Sequence, residues 1–206
     1  MRKILTALLI NIFSVSVTAC PEKEGGVSMD KGNNQEYRIA VFGGGCFWCM
    51  EAVFEQLSGV AEVISGYAGG RVKNPSYEQV CTGLTGHAEV VKIVYDPYVI
   101  TYDELLSVFW KAHDPTQVNR QGADVGTQYR SVIFYGSIEE KQAAENSRAA
   151  LEKSGFFSRP VATEIVSLDK FYPAEEYHQD YYRNNRQAGY CQLVITPKLE
   201  KLGLPF

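Results

Sequence analysis

A short β-rich run, Tyr37–Phe42, ends in Gly43-Gly44-Gly45 and predicts a strand feeding a glycine turn. The apolar period then changes. Met50, Val53, Phe54 and Leu57 fall at i, i+3, i+4 and i+7, which predicts a helix starting near Cys46 and stopped by Gly59. Val60–Ser65 and His87–Tyr95 read as strands, as do Gln128–Tyr135 and Val161–Leu168. Thr101 and Glu104 form a capping-box pattern ahead of Leu105, Leu106 and Phe109. Ser137 with Glu140 caps a third helix that runs to Gly155. Helices and strands mix without strict βαβ repetition, so the expected class is α+β, with helices packed on a mixed, largely antiparallel sheet.

Two stretches do not fit this patterning. Asp114–Thr127 is long, polar and without a period, the mark of a functional loop inside a compact domain. Phe171–Tyr182 is rich in Tyr and His and is hard to explain as core.

The N-terminal residues belong to a different class. Arg2 and Lys3 precede a mostly apolar run from Ile4 to Val17, too short and wrongly flanked for a stable membrane span. The run closes on Val17-Thr18-Ala19-Cys20, which resembles the lipobox of bacterial lipoproteins. Residues 1–19 are therefore expected to be a signal peptide and Cys20 the lipidated residue; an ordinary cleaved signal with an incidental cysteine is the alternative. Residues 20–36 are polar, Gly-containing and aperiodic, and read as anchor and flexible tether. One domain, 37–206, follows. The chain would then be exported to the periplasmic face of a bacterial membrane and touch it only by its lipid. Pro21, where an aspartate often retains lipoproteins at the inner membrane, points to the outer one.

Composition narrows the partners. With 206 residues, 45% hydrophobic and 21% charged, the chain is too apolar for a disordered protein and lacks a collagen or coiled-coil bias. Its size supports a core without disulfide staples, and a monomer is expected. A net charge of −4 and no basic cluster argue against nucleic acid, which needs a basic face.

The candidate chemistry starts at Cys46. It follows the triple glycine at the predicted helix start, where partial positive charge and free N–H groups favour a thiolate. Cys46 and Cys49 form C-F-W-C, a spacing that can close a disulfide. Zinc would need a second paired motif, and Cys81, His87 and Cys191 supply none. A thioredoxin-like oxidoreductase also begins strand, C-x-x-C, helix, and the motif alone leaves it open. On the predicted strand, alternation puts Glu89 in line with Val91 and Ile93, so its carboxyl is expected to be part-buried with a raised pKa. Such an acid can donate a proton near neutral pH. Phe47 and Trp48 flank the thiol as a possible apolar pocket for a small methyl-bearing group, and Tyr67, Tyr77 and Tyr129 offer hydroxyl donors from turn-like or loop-adjacent positions.

These residues sit in blocks that resemble the A-type peptide methionine sulfoxide reductases. The blocks are Gly45-Cys46-Phe47-Trp48 with Glu51, Tyr67-Ala68-Gly69-Gly70, Asn74-Pro75-Ser76-Tyr77 and Thr85-Gly86-His87-Ala88-Glu89-Val90. Tyr95-Asp96-Pro97, His113-Asp114-Pro115-Thr116, the run Asn119–Ser131 and Tyr177-His178-Gln179-Asp180-Tyr181 continue the series in order. The resemblance implies a two-layer α/β sandwich with a ferredoxin-like core. It also implies reduction of methionine S-sulfoxide, free or in proteins, to methionine. Cys46 then matches the nucleophile. Glu89, Tyr77 and Tyr129 match the groups that hold and protonate the sulfoxide oxygen, and Phe47 and Trp48 match the pocket for the substrate methyl. Asp124 matches a group that positions substrate and active-site residues. A sulfenic acid on Cys46 would be resolved to a disulfide and recycled by an external, thioredoxin-like dithiol, with no metal or organic cofactor. Many relatives have glycine where this chain has Cys49. Cys191 is favoured as the resolving thiol, with Cys49 the alternative or its partner in a relay; Cys81 is read as structural. The rival functions are a disulfide oxidoreductase, which leaves the Glu89, Tyr77, Tyr129 and Asp124 blocks unexplained, and a non-catalytic binding lipoprotein.

Overall fold

The computed structural model describes residues 36–206. The expected signal peptide, Cys20 and all of the tether but its last residue lie outside the described residues. In chain order the elements are β1 (Arg38–Gly44), α1 (Phe47–Phe54), β2 (Val60–Ala68), α2 (Tyr77–Cys81), β3 (Ala88–Tyr95) and α3 (Tyr102–Ala112). Two-residue strands β4 (Arg120–Gln121) and β5 (Asp124–Val125) precede β6 (Ser131–Tyr135), α4 (Ile138–Ser154), β7 (Glu164–Ser167) and β8 (Phe171–Pro173). Short helices α5 (Tyr181–Asn184) and α6 (Thr196–Leu202) close the chain.

The main sheet has the order β7-β6-β1-β3-β2-β8. Its neighbours are antiparallel except the parallel pair β6 and β7. The inner order β6-β1-β3-β2, with α1 joining β1 to β2 and α3 lying between β3 and β6, is the ferredoxin-like arrangement, and the class is α+β as expected. Alternation decides the layers. Phe42, Val91, Ile93 and Ile133 face a core shared with Met50, Phe54, Leu106 and Phe109 from α1 and α3. The opposite face carries Val41, Val90, Val132 and Phe134, with Leu168 and Phe171 against it. Glu89 lies on the helix side with Val91 and Ile93.

The capping signals read from sequence hold, but α1 ends at Phe54, so Leu57 and the expected stop Gly59 lie in the turns beyond it. Thr101 accepts the Glu104 N–H at 3.2 Å and Glu104 accepts the Thr101 N–H at 2.8 Å, a reciprocal capping box. Ser137 caps α4, and Gly155 ends it in the left-handed region. The strand expected at Gln128 begins instead at Ser131, because Thr127–Tyr129 coil into a 3₁₀ turn. The strand expected over Val161–Leu168 shortens to β7. Tyr67 lies inside β2, fully buried, and not at a turn. The sequence reading has no counterpart for α2 or β8. The first is five residues long, and the second exists by pairing Tyr172 with Tyr67 far back in the chain.

Candidate active site

The chain leaves β1 through Gly45, whose φ of +97° lies in the left-handed region that side chains avoid. A Cβ there would also meet the Gln121 side chain at 2.6 Å. This turn delivers Cys46 to the N-cap of α1. The thiol is buried, with 8% of the residue exposed. Its carbonyl accepts the Cys49 N–H, and the next N–H of the helix, that of Phe47, turns outward to the Glu89 carboxylate oxygen Oε2 at 3.0 Å.

Glu89 is therefore attached to the residue that follows the thiol. At 1% exposure, burial is the main cause lifting its pKa to about 8, helped by Asp124 and Cys49 and opposed by the Phe47 N–H. Near neutral pH it is a carboxylic acid, able to donate. Tyr77 opens α2 and Tyr129 sits in the 3₁₀ turn. Burial first, then neighbouring groups that include Glu89, push both phenols well above their usual range, so both hydroxyls remain donors.

Aromatic rings wall this space. Phe47 lies 6.4 Å from the Tyr77 ring in a stacked pair, 5.9 Å from Tyr67 and 5.0 Å from His178. Trp48, half-buried, lies flat against Tyr181 with centroids 3.5 Å apart, and its indole N–H donates to His178 Nδ1 at 3.2 Å. The run that resisted a core reading, 171–182, is thus the strap behind the wall. Glu175 accepts the Tyr67 hydroxyl and the Tyr77 N–H. Gln179 brackets the Ser65 backbone, accepting its N–H at 2.9 Å and donating to its carbonyl at 3.0 Å. His178, Tyr181 and Glu175 were not singled out from sequence; the Tyr/His density of that run was the available signal.

The thiols gather on the other side. Cys49 Sγ is 3.6 Å from the Tyr190 hydroxyl, which donates to Asp124 Oδ2 at 2.8 Å. Asp124 reaches this point from β5, in a small hairpin inside the loop expected to be functional. Tyr190 is a second group the sequence reading passed over. The thiolate expected on Cys46 at the helix start falls on its neighbour instead: burial and then Cys49 and Glu89 push the Cys46 thiol up, and the Phe47 N–H is taken by Glu89, whereas the Cys46 S–H, with Lys198 and Tyr190, brings Cys49 down to about 7. The two sulfurs thus behave as one unit that sheds a single proton near neutrality and holds the second. Cys191 is fully buried in a π-type turn, Cys191–Ile195, and its thiol is raised by burial and by Cys49. Cys81 is exposed at the end of α2, bonded by the Tyr77 hydroxyl, and so fills no core gap. Among the described residues no cluster of His, Cys, Asp and Glu stands ready to hold a metal. The arrangement provides a nucleophilic thiol pair, a neutral acid, a cluster of aromatic rings and two phenol hydroxyls.

Residues 38–204 match the family model described as peptide methionine sulfoxide reductase. Over 162 residues the chain is 58% identical to the peptide methionine sulfoxide reductase MsrA of Nautilia profundicola, covering 79% of this chain and 92% of that protein. Mxr1 from Saccharomyces cerevisiae in reduced form superposes with a TM-score of 0.72 at 34% identity, over 77% of this chain and 91% of the yeast chain. A second structure, Mxr1 in complex with Trx2, is similar in fold with a TM-score of 0.51 at 22% identity, over 75% and 91% of the two chains.

Proposed function

Since this chain belongs to the peptide methionine sulfoxide reductase family, A type, and is a peptide-methionine (S)-S-oxide reductase, we propose how its own residues carry out that reaction. The observation that carries the proposal is the Glu89 carboxyl, neutral near pH 7 and hydrogen-bonded to the N–H next to Cys46. Cys46 attacks the sulfoxide sulfur as it passes its proton to the Cys49 thiolate, to which it is hydrogen-bonded. The S–O bond breaks as Glu89 delivers a proton, because an unprotonated oxygen is a poor leaving group. Tyr129 donates to the same oxygen, joined by Tyr77 once its hydroxyl turns from Cys81, and Phe47 and Trp48 hold the methyl. The released hydroxide then attacks the Cys46 sulfur and breaks its bond to the sulfonium, so methionine departs and Cys46 is left as a sulfenic acid.

Resolution then runs as a relay. Cys49, one helical turn away, attacks the Cys46 sulfenic sulfur, and the proton it took from Cys46 leaves with the displaced hydroxyl as water, forming the disulfide. Asp124 acts through Tyr190, which holds the Cys49 sulfur. Cys191 neighbours Cys49 through Tyr190, and attacks the Cys49 sulfur to free Cys46. A thioredoxin-like dithiol reduces the last disulfide; the yeast relative solved with Trx2 supports that choice. No bound cofactor takes part. The Val17–Cys20 pattern supports a lipid-anchored protein that repairs exported proteins outside the cytoplasm. Incorporation of labelled palmitate that is lost in Cys20→Ser tests the anchor.

The reaction is tested with an equal mixture of the two N-acetylmethionine sulfoxide epimers and dithiothreitol, followed by chiral chromatography. Only the S-epimer should vanish, and Cys46→Ser should consume neither; turnover by that variant sinks the assignment. For the relay, one turnover without reductant should leave a dimedone-reactive Cys46 in Cys49→Ser and a Cys46–Cys49 disulfide in Cys191→Ser. A Cys46–Cys191 disulfide formed in Cys49→Ser as fast as the wild-type protein forms its own would reverse the order.

A further inference from the structure

Helix α1 carries a second buried carboxylate, Glu51, that the reaction does not use. It is 1% exposed among Met50, Ala52, Val53 and Phe54, all apolar and fully buried. An acid in such company is costly unless its oxygens are satisfied, and these are. Oε1 accepts the Ser65 hydroxyl at 3.0 Å, and Oε2 accepts the Tyr181 N–H at 3.1 Å, with the Asp180 N–H beside it. Asp180 is a non-glycine residue at a φ of +51°, a conformation held by its surroundings. The two N–H groups it turns toward one carboxyl belong to the start of α5. Tyr181 is the first residue of that helix, and its ring is the one lying flat on Trp48.

We propose that Glu51 is a positioning residue that anchors the Asp180–Tyr181 backbone so that Tyr181 backs Trp48 and fixes the wall of the methyl pocket. The inference rests on the reading of Trp48 as that wall. Other bonds keep the segment attached without Glu51: Gln179 to Ser65, and Arg183 to Glu55 at 3.5 Å. Removing the carboxyl should therefore free the ring and leave the segment folded.

The sequence has two tryptophans, so Trp110→Phe makes Trp48 the sole reporter. In that full-length background, Glu51→Ala should change Trp48 emission and raise its acrylamide quenching. It should also raise KM for the sulfoxide about tenfold while kcat stays within about twofold. Glu51→Gln, whose amide oxygen can accept the Tyr181 N–H and whose amine can donate to Ser65, should restore both. Unchanged Trp48 quenching in Glu51→Ala overturns the anchor. Changed quenching with unchanged KM overturns the pocket reading on which the role depends. A fall in kcat and in titratable Cys46 with KM unchanged marks a structural role only and also overturns it. Should Glu51→Ala fail to fold, Tyr181→Ala removes the ring and leaves the anchor; it must raise KM and Trp48 quenching, and failure to do either overturns the proposal.

Discussion

Glu89→Gln should make the protein more stable while nearly abolishing catalysis. The carboxyl's ordinary value of 4.5 becomes about 8 in the folded site, chiefly because burial disfavours its charged form. From pH 4.5 upward the unfolded chain releases this proton while the native state keeps it until about pH 8. The native state therefore binds more protons across that window, and stability falls as pH rises through it. At about 1.4 kcal/mol for each pH unit above the unfolded value, Glu89 destabilises the fold by roughly 3 kcal/mol at pH 7, and by under about 1 kcal/mol at pH 5. Glutamine has the same shape, and its amide oxygen can still accept the Phe47 N–H, but it has no proton to lose. Urea unfolding of the reduced proteins at several pH values measures the difference. The variant should be about 3 kcal/mol more stable at pH 7, with the two proteins converging toward pH 5. Parallel pH dependences would refute the reasoning, because they would mean Glu89 titrates alike in both states. Activity should drop by roughly 10²- to 10⁴-fold, the usual worth of a positioned acid.

The pH–rate profile of the wild-type enzyme should be a narrow bell, rising as the thiol pair ionises near 7 and falling as Glu89 loses its proton near 8. Tyr190→Phe removes a hydroxyl that favours the Cys49 thiolate, so the rising limb should move to higher pH with the falling limb in place. Gly45→Ala must adopt a φ of +97° against the Gln121 side chain, and should lower stability by about 2 kcal/mol or more in a denaturant titration, with kcat falling as Cys46 shifts. Ser137→Ala, far from the thiols in sequence, should cost about 1 kcal/mol through the lost α4 cap and leave kcat/KM unchanged in the epimer assay.

Much of this protein was decided locally. The 3.6-residue period from Met50, the capping box at Thr101, the Ser137 cap and the glycines before Cys46 act over a few residues, so α1, α3, α4 and the turn into the thiol were legible without coordinates. Period-2 alternation likewise put Glu89 on the face of Val91 and Ile93, and so toward the helices. It left open how deep that face lies. Near-complete burial, which lifts the carboxyl to about 8, required α1 and the sheet to close over it. Nor does spacing tell what stands against Cys49: it is Tyr190, 141 positions later, held by an aspartate on a hairpin of two-residue strands. The strap 171–182 is the clearest case. Its strand is three residues long, its helix four; its side chains bond to Ser65, Tyr67, Tyr77 and Trp48, and its Tyr181 N–H to Glu51, all more than 95 residues earlier. Desolvation and long-range hydrogen bonds are properties of the assembled layers, and only the tertiary structure sets them.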